Sequence, residues 1–108
     1  MQYHVYILTN RWRTVLYIGM TSDIEDRVFD HKTKSRKSFT NRYNCDRLVH
    51  MEEFSKVLDA IAREKELKKW RREWKEKLIN DNNPNWDDLS EGWYDPNDLK
   101  KNSGKSTA

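Results

Sequence analysis

The stretch Val5-Tyr6-Ile7-Leu8-Thr9-Asn10-Arg11-Trp12-Arg13-Thr14-Val15-Leu16-Tyr17-Ile18-Gly19-Met20 decides the fold. Two runs, Tyr3 to Leu8 and Val15 to Met20, have the β-branched and aromatic content of strands. The polar loop Thr9 to Thr14 joins them into a hairpin. Tyr6 and Tyr17 sit within the opposed strands, each a phenol on an apolar body, and most such tyrosines are ordinary sheet residues. Gly19 is more pointed, because a glycine inside a strand marks a bulge or the close approach of another group. Trp12 lies between Arg11 and Arg13. Such a residue can stack on an exposed base, but packing of Trp12 against the sheet edge is the reading slightly favoured.

Outward from the hairpin, Ser22-Asp23-Ile24-Glu25 has the form of a capping box, with acids crowding the positive end of the helix dipole. Ile24, Val28 and His31 then recur at helical spacing, which predicts a first helix to about Lys34. Thr33 to Asn44 carries no periodicity and reads as a basic loop. Arg47 to Phe54 reads as a third, weaker strand. Ser55 is the expected cap of a second helix through Val57, Leu58, Ile61 and Leu67. The same period continues through Trp70, Trp74 and Leu78, which fits one bent helix or two. Asn80 to Pro84 stops it. Trp86, Leu89, Trp93 and Tyr94 follow in an irregular arm whose aromatics are expected to pack back on the body, and Lys100 to Ala108 is expected to be mobile. The result is an α+β fold with a small three-stranded, mainly antiparallel sheet flanked by helices.

The chain has 108 residues, enough for one domain. Only 35% of it is hydrophobic and 36% is charged, but five Trp, five Tyr and three Phe supply large areas to bury, so a packed core is expected. No apolar run approaches the length of about 20 residues that crosses a bilayer, and Met1-Gln2-Tyr3-His4 is unlike a signal peptide. Cys45 is the single cysteine and has no second thiol to pair with. A cytoplasmic protein with no membrane partner is expected. The net charge of +3 is unevenly spread: residues 31–50 carry +5, residues 63–80 carry +4, and residues 81–99 carry −6. Such blocks suggest one face for phosphates and a separate acidic flank.

Three polar side chains stand out. Glu64 falls on the stripe formed by Val57, Ala60, Ile61 and Leu67. A carboxylate turned toward a core is costly unless it meets a cation, a metal or several donors. The plainer alternative is an edge glutamate paired with Lys68 or Arg71. Arg27 and His31 share a face of the first helix beside Ile24 and Val28, and a guanidinium next to an imidazole makes a clamp for an oxyanion or a phosphate.

Val5-Tyr6-Ile7, then Tyr17-Ile18-Gly19 ten residues on, then Arg27, His31 and Glu64 in order, resemble the GIY-YIG nuclease superfamily. The resemblance is to small stand-alone, single-domain members similar to the N-terminal catalytic domain of the repair excinuclease, and it covers roughly Gln2 to Leu89. Ala60 to Arg72, together with Asn83-Pro84-Asn85-Trp86-Asp87-Asp88-Leu89, looks like that subgroup's C-terminal signature. The resemblance implies a nuclease-like domain over 1–89, with 90–108 as an acidic, aromatic arm and polar tail. It implies a metal-dependent endonuclease acting on DNA, structure-selective and repair-related, with branched, damaged or single-stranded DNA as substrate. Glu64 would bind one divalent ion, Mg²⁺ or Mn²⁺; Tyr17 would be the general base; Tyr6 would complete the pocket floor; Arg27 would neutralise the scissile phosphate; and His31 would handle or orient a proton. Lys32, Lys34, Arg36, Lys37, Arg42, Lys68, Arg71 and Arg72, in the two basic blocks, are the expected nucleic-acid contacts.

Three positions depart from the pattern. Val5 replaces the name-giving glycine, Met20 stands where several active members carry a lysine, and Glu76 stands where an asparagine is usual. Two alternatives follow: a nucleic-acid-binding module that keeps the fold with weak or no catalysis, and a protein-interaction domain using the Trp-rich arm. Whether the chain is a monomer or a homodimer is left open by the sequence.

Overall fold

The computed structural model describes residues 2–34 and 42–103. Strands β1 (Tyr3–Thr9), β2 (Leu16–Thr21) and β3 (Arg47–Phe54) form a fully antiparallel sheet in the order β2-β1-β3. The hairpin register sets Tyr6 opposite Gly19 and Leu8 opposite Tyr17, while a bulge between Ile7 and Leu8 shifts the pairing with β3.

Alternation along β1 sends its side chains to two cores. On one side Val5 and Ile7 join Ile18, Val49, Ala60, Leu67, Ile79 and Trp86 beneath α2 (Val57–Lys69) and α3 (Arg72–Asn82). On the other, Tyr6 and Leu8 join Ile24, Val28, Cys45 and Leu48 beneath α1 (Ile24–Thr33). Trp93 and Tyr94 fold back onto this second core, as expected of the arm. Tyr94 also donates a hydrogen bond to the Glu25 carbonyl at 2.6 Å.

Several boundaries differ from the sequence reading. The cap of α1 is Asp23, which accepts from the Asp26 amide at 3.1 Å, and not Ser22. The second helix starts after Lys56 without a side-chain cap, so Ser55 does not cap it. The apolar period from Val57 to Leu78 belongs to two helices, because Trp70 and Arg71 take extended backbone between them. Past the acidic turns, residues Pro96–Ser103 form a further helix, α4, so Lys100 to Ser103 continue a helix where a mobile tail was expected. Asp95 accepts from the Asn97 amide at 2.8 Å at its start. Residues 35–41, within the expected basic loop, and 104–108 lie outside the described residues. Among the described residues no helix is long and apolar enough to cross a membrane.

The arm is fastened by Asp88. Its carboxylate accepts from the Leu48 amide, from the Ser90 amide and hydroxyl, and from the Lys32 ammonium at 2.5 Å. Burial acts to raise its pKa, but the hydrogen bonds from Lys32 and Ser90 outweigh that and leave it lowered.

Candidate active site

The sheet face beneath α1 brings three rings together. Tyr6 on β1, Tyr17 on β2 and His31 on α1 have ring centroids 5.7 to 6.3 Å apart. The Tyr6 hydroxyl lies 3.2 Å from His31 Nε2, in a buried hydrogen bond. The register makes this possible, since Tyr6 and Tyr17 are offset by one cross-strand step on the same face. Gly19 leaves the space: a Cβ there would sit 2.5 Å from the Tyr6 hydroxyl, 2.6 Å from its Cζ and 3.0 Å from Tyr17 Cε2. The glycine that stood out in the sequence is therefore the place where the Tyr6 phenol crosses the neighbouring strand.

Tyr6 is buried and its phenol is pushed far above the ordinary range. Burial is the main cause, and the Tyr17 phenol adds to it; the Arg27 guanidinium opposes it, and the Glu64 carboxylate reinforces it. Tyr6 therefore keeps its proton at any physiological pH and acts as a hydrogen-bonding partner of His31. Arg27 and Glu64, from helices on opposite faces of the sheet, both lie within electrostatic reach of this phenol. Tyr17 is only half-buried. With Leu16, Ile18, Lys68 and Lys75 it lines a surface depression of about 380 Å³.

Glu64 is an edge residue of the apolar stripe, its side chain 21% exposed, and it pairs with Lys68 at 3.2 Å. This is the Lys68 alternative of the sequence reading. Lys68 is well exposed, so it can leave the carboxylate without unfolding anything. Among the described residues no group of three or more His, Cys, Asp or Glu side chains converges on a point. A lone, partly exposed carboxylate does not fit zinc or an all-protein calcium cage; it fits a hard divalent ion that keeps most of its waters.

The expected nucleic-acid contacts scatter. Lys32 is largely buried, tied to Asp88 and to the Asp46 carbonyl. Lys34, which caps α1 in the left-handed region, donates to the Asn44 side chain at 2.6 Å. Arg42 lies over the Tyr43 ring, and Arg71 lies over Trp74 while pairing with Glu73 at 3.1 Å. Arg72 pairs with Glu76 and donates to the carbonyls of Arg13 and Thr14, joining α3 to the hairpin loop. Arg36 and Lys37 lie outside the described residues. Met20 packs against the core beneath α2 and α3.

One cluster escaped the sequence reading. Glu52 on β3 is gripped by Arg63 Nε at 2.8 Å and a second guanidinium nitrogen at 3.0 Å, and His50 Nε2 lies 2.8 Å from the same carboxylate. Burial would raise the Glu52 carboxyl, but the hydrogen bonds from His50 and Arg63 hold it down at about 2. The only signal available was the two-residue spacing of His50 and Glu52, which puts them on one strand face.

This hairpin, helix and ring cluster define a class. The chain belongs to the GIY-YIG catalytic domain family, a nuclease family, whose pattern matches residues 2–77. Over 79 residues it is 35% identical to a UPF0213 protein of Natronomonas pharaonis, covering 73% of this chain and 92% of that protein. A UPF0213 protein of Haloquadratum walsbyi is 34% identical over 76 residues, covering 70% and 85% respectively. The solution NMR structure of the UPF0213 protein BH0048 from Bacillus halodurans shares the fold with a TM-score of 0.54, at 26% identity, over 85% of this chain and 98% of that one.

Proposed function

We propose that this chain is a metal-dependent endonuclease that hydrolyses phosphodiester bonds in DNA, with branched, damaged or single-stranded structures, as in repair, the substrates its site suits. The observation that carries this is the convergence of Tyr6, Tyr17 and His31 from three elements, within electrostatic reach of one cation, Arg27, and one carboxylate, Glu64.

The roles are those the family resemblance implies, and burial and charge support them. Tyr6 holds His31 by its ring nitrogen and thereby fixes the imidazole beside Tyr17. Tyr17, the phenol that reaches the surface depression, takes the proton of the attacking water. Arg27 meets the charge that develops on the phosphate oxygens. Glu64 would hold a hydrated Mg²⁺ or Mn²⁺ once Lys68 has swung away. Such an ion supplies charge neutralisation at the phosphate and an acidified water.

Cleavage of labelled single-stranded, branched and duplex DNA with Mg²⁺ or Mn²⁺ tests the proposal. Tyr17→Phe is expected to slow cleavage by about 10²- to 10⁴-fold, and Glu64→Gln to remove its metal dependence and most of its rate. Cleavage that persists unchanged in both variants refutes the assignment. One second reading has specific support: a binding module with little catalysis, favoured by the Lys68 pairing of Glu64 and by Met20 in the core. It is distinguished by salt-sensitive DNA binding without metal-dependent cleavage.

A further inference from the structure

The sequence reading favoured Trp12 packed against the sheet edge. The structure leaves it 71% exposed. A large aromatic held out in water is informative when its backbone is rigid, and this one is. The Asn10 side chain accepts from the Thr14 and Val15 amides, and Asn10 Nδ2 donates to the Thr14 hydroxyl at 2.7 Å. Thr9 donates to the Val15 carbonyl at 2.8 Å, and the Arg13 amide donates to the Asn10 carbonyl at 3.0 Å. Arg13 takes a left-handed φ of 58°, lies over Trp86 and donates to the Asn85 carbonyl. Arg72 clamps the same loop from α3. The loop is thus fixed from within and from two neighbouring segments, and Trp12 at its tip contributes nothing to the core.

Trp12 shares a depression of about 240 Å³ with Asn10, Arg11, Tyr43, Asn44 and Asp46. Tyr43 is also exposed. Each of the two aromatic rings carries a guanidinium, Arg11 over Trp12 at 4.8 Å and Arg42 over Tyr43 at 5.8 Å. Flat π-faces, cations beside them and amide or carboxylate groups between them match an unpaired nucleotide. The rings stack on the base, the guanidinium groups meet the flanking phosphates, and Asn44 and Asp46 offer partners to base edges. An apolar protein segment would leave the arginines and Asp46 poorly matched. Leu16 pairs with Thr9, so this loop ends at Val15, two residues before Tyr17 on the same hairpin.

We propose that Trp12 and Tyr43, with Arg11 and Arg42, form a platform that stacks an unpaired base of the nucleic-acid substrate beside the catalytic hairpin. The inference rests on the nucleic-acid substrate of the proposed function and narrows it to strands with unpaired bases.

Binding is measured by fluorescence anisotropy on the full chain, without divalent metal and at fixed salt, using a labelled single strand of about 12 nucleotides and a blunt duplex of the same sequence. Trp12→Ala is expected to weaken single-strand binding by roughly 5- to 150-fold, the effect of one lost stack, while duplex binding changes by no more than about twofold. Trp12→Phe restores most of the affinity, and Tyr43→Ala repeats the loss. Because Trp12 is exposed, the melting temperature of Trp12→Ala is expected to match that of the wild type, which separates lost stacking from lost folding. Single-strand binding unchanged in Trp12→Ala overturns the platform, as does a parallel loss for strand and duplex, or Trp12-dependent binding confined to a polyglutamate control. The two readings fail separately: Trp12-dependent binding with no metal-dependent cleavage sinks the endonuclease alone, and Glu64-dependent cleavage with Trp12-independent binding sinks the platform alone.

Discussion

Gly19 is the position where the geometry makes its sharpest demand. An alanine Cβ would lie 2.6 Å from Tyr6 Cζ, and ordinary contact begins near 3.4 Å, so the ring must retreat by about 0.8 Å. Tyr6 has little freedom to retreat, because it is 1% exposed, packed in the core beneath α1 and bonded to His31. Overpacking of this kind costs about 1–3 kcal/mol, and a weakened Tyr6–His31 bond adds about 0.5–1.5 kcal/mol. The loss of glycine's freedom in the unfolded chain offsets about 0.4–1 kcal/mol. Gly19→Ala is therefore expected to destabilise the protein by about 0.5–4 kcal/mol, which lowers Tm by about 4–8 °C for each kcal/mol. Urea denaturation gives the first figure and a thermal melt the second. The nitrogen shifts of the His31 imidazole report whether the Tyr6 bond has moved. A variant that melts with the wild type and keeps the His31 shifts would show that the phenol does not occupy the groove over Gly19, and the account of the ring cluster would fall with it.

Two further outcomes follow from the charged groups. Lys32→Met is expected to cost about 1–3 kcal/mol in urea denaturation, below the usual penalty for a fully buried pair because both partners keep some solvent contact, and to leave the salt dependence of DNA binding unchanged. Unchanged stability with a shallower salt slope would return Lys32 to the phosphate contacts. Glu52 titrates at about 2 in the fold against an ordinary 4.5, so its network stabilises the protein fully above pH 4.5 and is lost as pH falls toward 2. Denaturation midpoints measured across that window are expected to fall with acid, and Glu52→Gln to flatten the fall; an equal acid dependence in the variant would refute the network's role.

Much of this was legible because it depended on local pattern. The hairpin followed from two β-rich runs, and Gly19 stood out as a point of close approach, but the register that sets Tyr6 opposite it came only with the folded sheet. The break at Trp70 and Arg71 was not legible. No glycine or proline stands there, and the apolar period runs through it without interruption. At the break Trp70 lies under the Arg63 guanidinium and edge-on to Trp74. Helix α4 was missed for the opposite reason. Its local signals, Asp95 before Pro96, were present, but one leucine among polar residues gave no stripe to read.

The candidate site divides along the same line, and the division bears on how the chemistry is built. The family resemblance nominated Tyr6, Tyr17, Arg27, His31 and Glu64, while periodicity by itself singled out only Glu64, Arg27 and His31 by the faces they share. What separates the two tyrosines is burial, which is a property of the packed sheet. Tyr6, opposite Gly19 and beneath α1, is sealed and stays protonated; Tyr17, one cross-strand step away on the edge strand, opens to solvent beside Lys68. The same edge carries the hairpin loop with Trp12. An edge strand leaves a row of unpaired backbone groups that proteins must manage. Here β2 puts the more accessible phenol, the Glu64–Lys68 pair and the clamped aromatic loop on that one margin of the sheet. On the proposed function, the sealed tyrosine is the one that orients and the open one the one that reacts, and the margin they share with Trp12 is the face we propose a substrate strand approaches.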